Sequence, residues 1–301
     1  MTTADSVPAE RQRELLRKVR RLRIQTAHLI RDLLGGQYRS AFKGRGMAFS
    51  EVREYTPGDD IRSIDWNVTA RMNAPFIKLF VEERELTLML MVDVSRSLRF
   101  GSGRRSKLDL AVELAAILGF SAIQNNDRAG LILFSDRVEK YVPPNKGDAH
   151  ALRILRDLLF FPPAGRATAF RPAFDFLNSV RTRRSVVFVI SDFMATDLAD
   201  ALPITARRHD LIAARIVDPI EDSWPRIGLL ELEDLETGRT TLVDTSSGRT
   251  RAAMESAAAE SRNRIRKLFR SCKLDDITFR TDQSVVDPLR RFFYARRRRR
   301  M

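Results

Sequence analysis

The residues with the clearest chemical potential lie in the segment 93–97, which has the pattern Asp93-x-Ser95-x-Ser97. This segment directly follows a largely apolar run, 86–92, of the kind that forms a strand covered on both faces. One carboxylate and two hydroxyls at a strand end are oxygen ligands that suit Mg²⁺, which usually keeps several waters. The segment therefore predicts part of a site for Mg²⁺ or another divalent cation such as Mn²⁺.

The elements that would position these groups alternate along the chain after residue 86. Apolar residues at helical spacing predict helices, and short apolar runs predict the strands between them. We predict helices at about 106–124, 147–160, 169–181, 196–207 and 250–272, and strands at 86–93, 129–134, 185–190, 211–217 and 276–280. The segment 140–144 is interpreted as a polar connection. The fold class is therefore α/β, a mainly parallel sheet flanked by helices and wound by right-handed crossovers.

Two further residues are predicted to join the same site. Ligands of such sheets collect outside the carboxyl ends of the strands, and Asp192 follows the strand 185–190 much as Asp93 ends the strand before it. The small residues of the loop 163–167 would let the hydroxyl of Thr168 approach the same point. The predicted metal ligands are Asp93, Ser95, Ser97, Thr168 and Asp192.

These five residues, in this order, resemble the metal-ion-dependent adhesion site of von Willebrand factor A domains. The preceding segment resembles the signature of a bacterial family, domain of unknown function 58, in which it precedes a von Willebrand-type domain. The resemblance extends from about Gly44 to Arg291. It rests on Gly44-x-Gly46, Phe49, Glu51-x-Arg53-x-Tyr55-x-Pro57-Gly58-Asp59-Asp60-x-Arg62-x-Ile64-Asp65-Trp66, Ala70-Arg71 and Lys78.

The resemblance implies a non-enzymatic, metal-dependent adaptor. Ser95, Ser97 and Thr168 would ligate Mg²⁺ through hydroxyls, Asp93 and Asp192 would hold charge and coordinated waters, and an Asp or Glu of a partner protein would complete the coordination. The family is commonly encoded with MoxR-type AAA+ ATPases, so the implied partner is such an ATPase in chaperone-like assembly or activation of a protein complex.

Four segments follow from these patterns. Residues 1–43 are predicted to be a basic amphipathic helix with a linker, 44–85 a small β-unit carrying the family signature, 86–294 a von Willebrand factor A-like domain, and 295–301 an arginine-rich tail. Within the β-unit, Asp59 and Asp65 are expected to form a structural network with Arg62.

Positive charge is concentrated at the two ends of the chain. The 301 residues carry a formal net charge of +14, with +7 in residues 1–46, +9 in residues 251–301 and −2 in between. The run Arg296–Arg300 is either a solvated tail or a contact for phosphate or acidic protein. Binding of nucleic acid through the basic ends is therefore an alternative function.

A third alternative is a Mg²⁺-dependent phosphoester hydrolase, but such sites usually add a nucleophile, a general base or a second metal. The histidines His28, His150 and His209 have no metal-ligand or triad spacing, and the chain has no phosphate-binding loop of the GxxxxGK[ST] type. Its apolar runs are short for a bilayer span. The single cysteine, Cys272, fits a reducing cytoplasm and is interpreted as structural.

Overall fold

The computed structural model describes residues 41–42, 48–72, 74–81, 85–235 and 238–300. Of the predicted segment 1–43, with its amphipathic helix and linker, only residues 41–42 are described, and the Gly44-x-Gly46 motif also lies outside the described residues. The chain divides into two compact units. The smaller spans 42–86, and the larger contains the other described residues.

The smaller unit is built on an antiparallel pair, β1 (Ala48–Glu54) and β2 (Phe76–Val81). A 3₁₀ turn at Ile61–Ser63 and the helix α1 (Trp66–Met72) connect them.

The predicted network around Arg62 is wrong, because Asp59 pairs instead with Arg53 of β1, with 2.7 Å between Nη2 and Oδ1. Hydrogen bonds from Arg53 hold the pKa of Asp59 well below its usual range. The acids of this unit thus brace a turn.

The larger unit contains a six-stranded sheet in the order β10-β7-β6-β3-β4-β5. Its strands are β3 (Thr87–Asp93), β4 (Arg128–Phe134), β5 (Val138–Asn145), β6 (Val186–Ser191), β7 (Asp210–Val217) and β10 (Asp275–Arg280). Neighbouring strands run parallel except β4 and β5. The predicted α/β fold with a mainly parallel sheet is confirmed.

Helices cover both faces of this sheet. They are α2 (Lys107–Gln124), α3 (Asp148–Phe160), α4 (Phe170–Val180), α5 (Leu198–Arg208), α6 (Gly248–Ser271) and α7 (Val286–Arg300). Alternate residues of β3 point to opposite faces: Leu90 lies under α2 at Gly119, whereas Met89 and Met91 join a buried cluster with α4, α5 and α6. Because both faces are covered, the central strands are apolar throughout.

The helix α2 begins as its sequence predicts. Ser106 is its N-cap, and Ser106 and Asp109 form a capping box in which each side chain accepts the other residue's backbone N–H. The cap fixes the first turn of α2, and Lys107 is the first helical residue. The loop that follows Ser97 is thus held in place at its far end.

A hairpin, β8 (Leu229–Glu233) with β9 (Thr240–Asp244), lies between β7 and α6 in sequence. Two histidines of the larger unit make hydrogen bonds with the backbone. His150 Nε2 lies 2.8 Å from the carbonyl oxygen of Ala129, and His209 Nδ1 accepts the N–H of Ser185. Cys272 is half-buried at the edge of the apolar cluster.

The segment 140–144 is part of β5 rather than a polar loop. Pro143 and Pro144 argued against a strand, because proline removes a hydrogen-bond donor. β5 is the antiparallel edge of the sheet, where such residues are tolerated, and its register with β4 is irregular. An edge position is therefore what reconciles the prolines with strand structure.

The helix α7 continues through Arg300, past residue 294, where the von Willebrand factor A-like domain was predicted to end and the arginine-rich tail to begin. Arg296 is buried and its guanidinium pairs with Asp275, at 2.6 Å, and with Asp210. Arg299 also pairs with Asp275, at 2.8 Å. Arg296 is therefore structural rather than part of a solvated tail, whereas the side chain of Arg299 is 64% exposed and makes a surface ion pair. Among the described helices, none has the length and apolar character that a bilayer span requires.

Candidate metal centre

Asp93 lies at the centre of the site, as the last residue of β3. Its side chain is fully buried. Its Oδ1 accepts the N–H of Ser95 at 2.9 Å, and its Oδ2 accepts the hydroxyl of Ser191 at 2.7 Å. Because β3 and β6 are adjacent and parallel, Ser191 at the end of β6 reaches the carboxylate directly. These bonds fix the orientation of the carboxylate.

The three predicted hydroxyl ligands lie close to this carboxylate. Ser95 is buried, and its Oγ lies 3.0 Å from Oγ of Ser97. The hydroxyl of Thr168 points at Asp93, with 3.5 Å between Oγ1 and Oδ2. The loops that carry them are joined by a bond from the N–H of Arg96 to the carbonyl of Arg166, at 3.1 Å. Residues far apart in sequence thus converge on one point.

Glu139 of β5 holds the loop before Thr168. Its carboxylate accepts the N–H of Gly165 at 2.7 Å, the N–H of Ala164 at 3.1 Å and the hydroxyl of Ser135 at 2.6 Å. Burial acts to raise the pKa of Glu139, but these hydrogen bonds outweigh it and lower the pKa. A Cβ on Gly165 would lie 2.0 Å from Oγ of Ser135. Glycine is therefore required for the loop to approach β4 this closely.

Asp192 follows β6 and is buried on the other side of Asp93. Its Oδ1 accepts the N–H of Met194 at 3.3 Å, and its Oδ2 accepts the ammonium of Lys107 at 2.8 Å. Lys107 is also buried, and its Nζ lies 2.8 Å from Oε1 of Glu221, in the 3₁₀ turn after β7. The second carboxylate of the site is thus held by a buried lysine.

Two buried carboxylates this close repel each other. Burial, and then the charge of Asp192, raise the pKa of Asp93 to about 7. A cation between them would relieve both costs. The donors adjacent to Asp93 are neutral hydroxyls, and no positively charged side chain among the described residues forms an ion pair with it. The donor set of two carboxylates and three hydroxyls fits a hard divalent ion. In the described part of the chain no cluster of three or more His, Cys, Asp or Glu side chains has metal-binding geometry, so hydroxyls would complete this site.

The five predicted residues are brought together, and three further residues contribute that sequence reasoning missed. Ser191 had no predicted role, although its position beside Asp192 was a usable signal. Lys107 and Glu221 gave no signal, because the pairing of Lys107 with Asp192 and with Glu221 joins residues 85 and 114 positions apart in sequence.

Comparison of sequences identifies related proteins. The family described as "Protein of unknown function DUF58" matches residues 51–264. An uncharacterized protein of Mycobacterium tuberculosis is 32% identical over 290 residues, which cover 95% of this chain and 90% of that protein. The uncharacterized protein YeaD of Bacillus subtilis is 26% identical over 56% of this chain and 40% of its own length.

Solved structures with similar folds share little sequence. BatB from Bacteroides thetaiotaomicron has a TM-score of 0.45 and 15% identity, covering 71% of this chain and 99% of that one. The von Willebrand factor A domain of SpRpn10 has a TM-score of 0.37 and 11% identity, covering 68% and 94%. Both similarities are weak, and the fold is defined by its strand order, β10-β7-β6-β3-β4-β5.

Proposed function

This chain belongs to the family of proteins of unknown function DUF58, and we propose that it is a non-enzymatic adaptor that binds a partner protein through a divalent cation. The observation that carries the proposal is the convergence of Asp93, Ser95, Ser97, Thr168 and Asp192 at the carboxyl edge of the sheet. The donors of this site are two carboxylates and three hydroxyls, all of them oxygen ligands of the kind that hard divalent cations prefer.

The roles of the residues follow from their contacts. Asp93 is oriented by the hydroxyl of Ser191 and by a backbone N–H, so its carboxylate is fixed before any ion arrives. Ser95, Ser97 and Thr168 would ligate through neutral oxygens, which leaves the positive charge of the site incompletely compensated. Bound Mg²⁺ would supply a coordination position that an anionic ligand can fill. A partner's Asp or Glu carboxylate has the charge and geometry for that position.

The partner that we propose is a MoxR-type AAA+ ATPase, acting with this chain in the assembly or activation of a protein complex in the cytoplasm. This part of the proposal rests on the resemblance to the family. The chain has no phosphate-binding loop of its own, so ATP hydrolysis would be performed by the separate partner.

The two alternatives receive less support. Nucleic-acid binding through the C-terminal arginines is disfavoured by the engagement of Arg296 and Arg299 with acids of the same unit. For a phosphoester hydrolase, the basic group beside the carboxylates is Lys107, and its ammonium is committed to Asp192 and Glu221. Neither alternative is favoured by a specific contact.

The proposal is tested by affinity capture with the tagged chain, in Mg²⁺ and in EDTA. We expect a MoxR-type AAA+ ATPase to be retained in Mg²⁺ and lost in EDTA. The variant Ser95→Ala/Ser97→Ala should lose the partner and bind Mn²⁺ about tenfold or more weakly, since two ligand oxygens are removed.

A matched control is Ser256→Ala, which changes a serine on the exposed part of α6. It should behave as the wild type does in both assays. Equal capture by the wild type and the double variant would show that the metal bridge is wrong. Turnover of a phosphoester that depends on Asp192 would instead favour the hydrolase.

A further inference from the structure

A buried ammonium lies directly beside the candidate metal centre. The side chain of Lys107 is 5% exposed and that of Asp192 is 3% exposed, and their charged atoms are 2.8 Å apart. Lysine is almost never buried without a paired charge, and here it has two carboxylate partners, Asp192 and Glu221. The same carboxylate that is proposed to face the metal is therefore already bound to a cation of the protein.

The position of Lys107 is fixed from several directions. It is the first residue of α2, after the capping box of Ser106, and its N–H donates to the carbonyl of Phe100 at 2.8 Å. Its side chain passes across the carboxyl ends of neighbouring strands, because Asp192 follows β6 and Glu221 lies in the turn after β7. A lysine held at both its backbone and its ammonium cannot swing away freely. It therefore acts as a permanent part of the site.

The two carboxylate oxygens of Asp192 accept hydrogen bonds from different donors. Oδ2 accepts the ammonium, whereas Oδ1 accepts the N–H of Met194 at a longer distance, 3.3 Å. Asp93, in contrast, accepts hydrogen bonds from the hydroxyls of Ser191 and Thr168 and from a backbone N–H, so the two carboxylates differ in charge compensation. No charged donor among the residues that the structure describes bonds to the Asp93 carboxylate, whereas the ammonium of Lys107 reduces the attraction of Asp192 for a cation.

We infer that Lys107 is a positioning residue that holds Asp192 back from the metal and keeps the affinity of the site for divalent cations low. This inference rests on the proposed function, because it concerns the same metal centre. A fixed ammonium repels an incoming dication and competes with it for Asp192. The carboxylate of Glu221 partly compensates the positive charge of that ammonium. Weak binding leaves the ion exchangeable, and it leaves the partner's carboxylate as a significant contributor to the stability of the complex.

The test uses two variants of the full chain with opposite expected effects. Lys107→Met keeps the length of the side chain and removes its charge, so we expect Mn²⁺ to bind on the order of tenfold more tightly. Glu221→Gln leaves Lys107 entirely to Asp192, so we expect Mn²⁺ to bind about threefold more weakly. Free Mn²⁺ in a titration is measured by its electron paramagnetic resonance signal.

Because the two variants are expected to change Mn²⁺ affinity in opposite directions, the experiment distinguishes an electrostatic effect from damage to the fold. Loss of packing alone would weaken binding in both variants, and that result would overturn the inference. A thermal unfolding measurement adds a second signature: without metal, Lys107→Met should unfold at a lower temperature than the wild type, and Mn²⁺ should raise its unfolding temperature by more.

The outcomes also distinguish this inference from the proposed function. If the wild type binds Mn²⁺ and Lys107→Met binds it equally or less tightly, the inference is wrong and the metal centre stands. If neither protein binds Mn²⁺, both are wrong. If Lys107→Met alone binds Mn²⁺, the lysine suppresses binding as inferred, and the metal-bridged adaptor is wrong for the natural chain.

Discussion

Asp93 binds a proton more tightly in the folded chain than in the unfolded one, because its carboxylate is buried and lies near Asp192. Its pKa is raised to about 7, whereas an unfolded aspartate titrates near 3.9. Between these values the folded state carries a proton that the unfolded chain has released. The contribution of Asp93 to stability is therefore present at low pH and is lost as pH rises through about 7.

We expect the metal-free protein, kept in EDTA, to lose about 1.4 kcal/mol of this contribution per pH unit inside that window. Because other groups also titrate, the measurement is the difference in unfolding free energy between the wild type and Asp93→Asn, from urea denaturation at several pH values. The difference should move in favour of the variant from pH 5 to pH 8. Adding Mg²⁺ at pH 8 should stabilise the wild type only.

The exposed Asp276 provides the control. Asp276→Asn removes one negative charge from an exposed position, and its difference in unfolding free energy from the wild type should change less between pH 5 and pH 8 than that of Asp93→Asn. If the difference in unfolding free energy between the wild type and Asp93→Asn stays constant from pH 5 to pH 8, the pKa of Asp93 is not raised.

Residue types and spacing were sufficient to predict which side chains converge. Asp93 and Asp192 end strands, and a parallel sheet brings strand ends to one edge, so their proximity follows from the fold class. The pairing of Lys107 with Asp192 could not be predicted in this way. A lysine at the start of an amphipathic helix is usually solvated, and only the close approach of β6 and β7 provides its two acids.

At the scale of elements, the loop 161–169 is the part of the site with the least regular structure. Its position depends on Glu139 of β5 and on the absence of a side chain at Gly165. A methyl group there would overlap Ser135 and Asp136, at 2.0 and 2.5 Å from their oxygens. The loop that carries Thr168 would have to move away from the sheet.

We therefore expect Gly165→Ala to destabilise the protein by about 1–3 kcal/mol, the usual cost of overpacking. Displacement of Thr168 should also weaken Mn²⁺ binding. Both effects are measured on one sample, by urea denaturation and by titration. Gly103→Ala is the matched control, since a Cβ at Gly103 would meet no atom within 4 Å. Equal stability of the two variants would contradict the role of Gly165 in close packing.

The elements themselves could be predicted wherever apolar periodicity is strong. The central strands and the helices flanking them match their predicted ranges within a few residues, because burial and apolar pattern have the same cause. β5 and the end of α7 were missed for a common reason. Their local composition, two prolines in one case and a run of arginines in the other, disfavours regular structure, and tertiary contacts at the sheet edge and with Asp210 and Asp275 outweigh it.

Buried charged groups lie at both edges of the sheet in the larger unit. The carboxyl edge holds Asp93 and Asp192. The amino edge holds Arg296, whose guanidinium connects the first residues of β7 and β10 and also donates to the carbonyl of Ala41 at 3.3 Å. An uncharged replacement would leave Asp210 and Asp275 near each other without that compensation.

Arg296 is thus predicted to matter for the stability of the whole unit and not for its metal centre. Removing one partner of a buried ion pair typically costs about 3–5 kcal/mol. Because the two acids are each about one-fifth exposed, we expect Arg296→Met to cost about 2–3 kcal/mol. Urea denaturation measures this loss of stability, and Mn²⁺ binding should stay at the wild-type level below the unfolding transition.

The control is Arg298→Met, which changes an exposed arginine of the same helix. It should leave the unfolding free energy within about 0.5 kcal/mol of the wild-type value. Equal losses from the two variants would show that the arginines of α7 act only through their total charge.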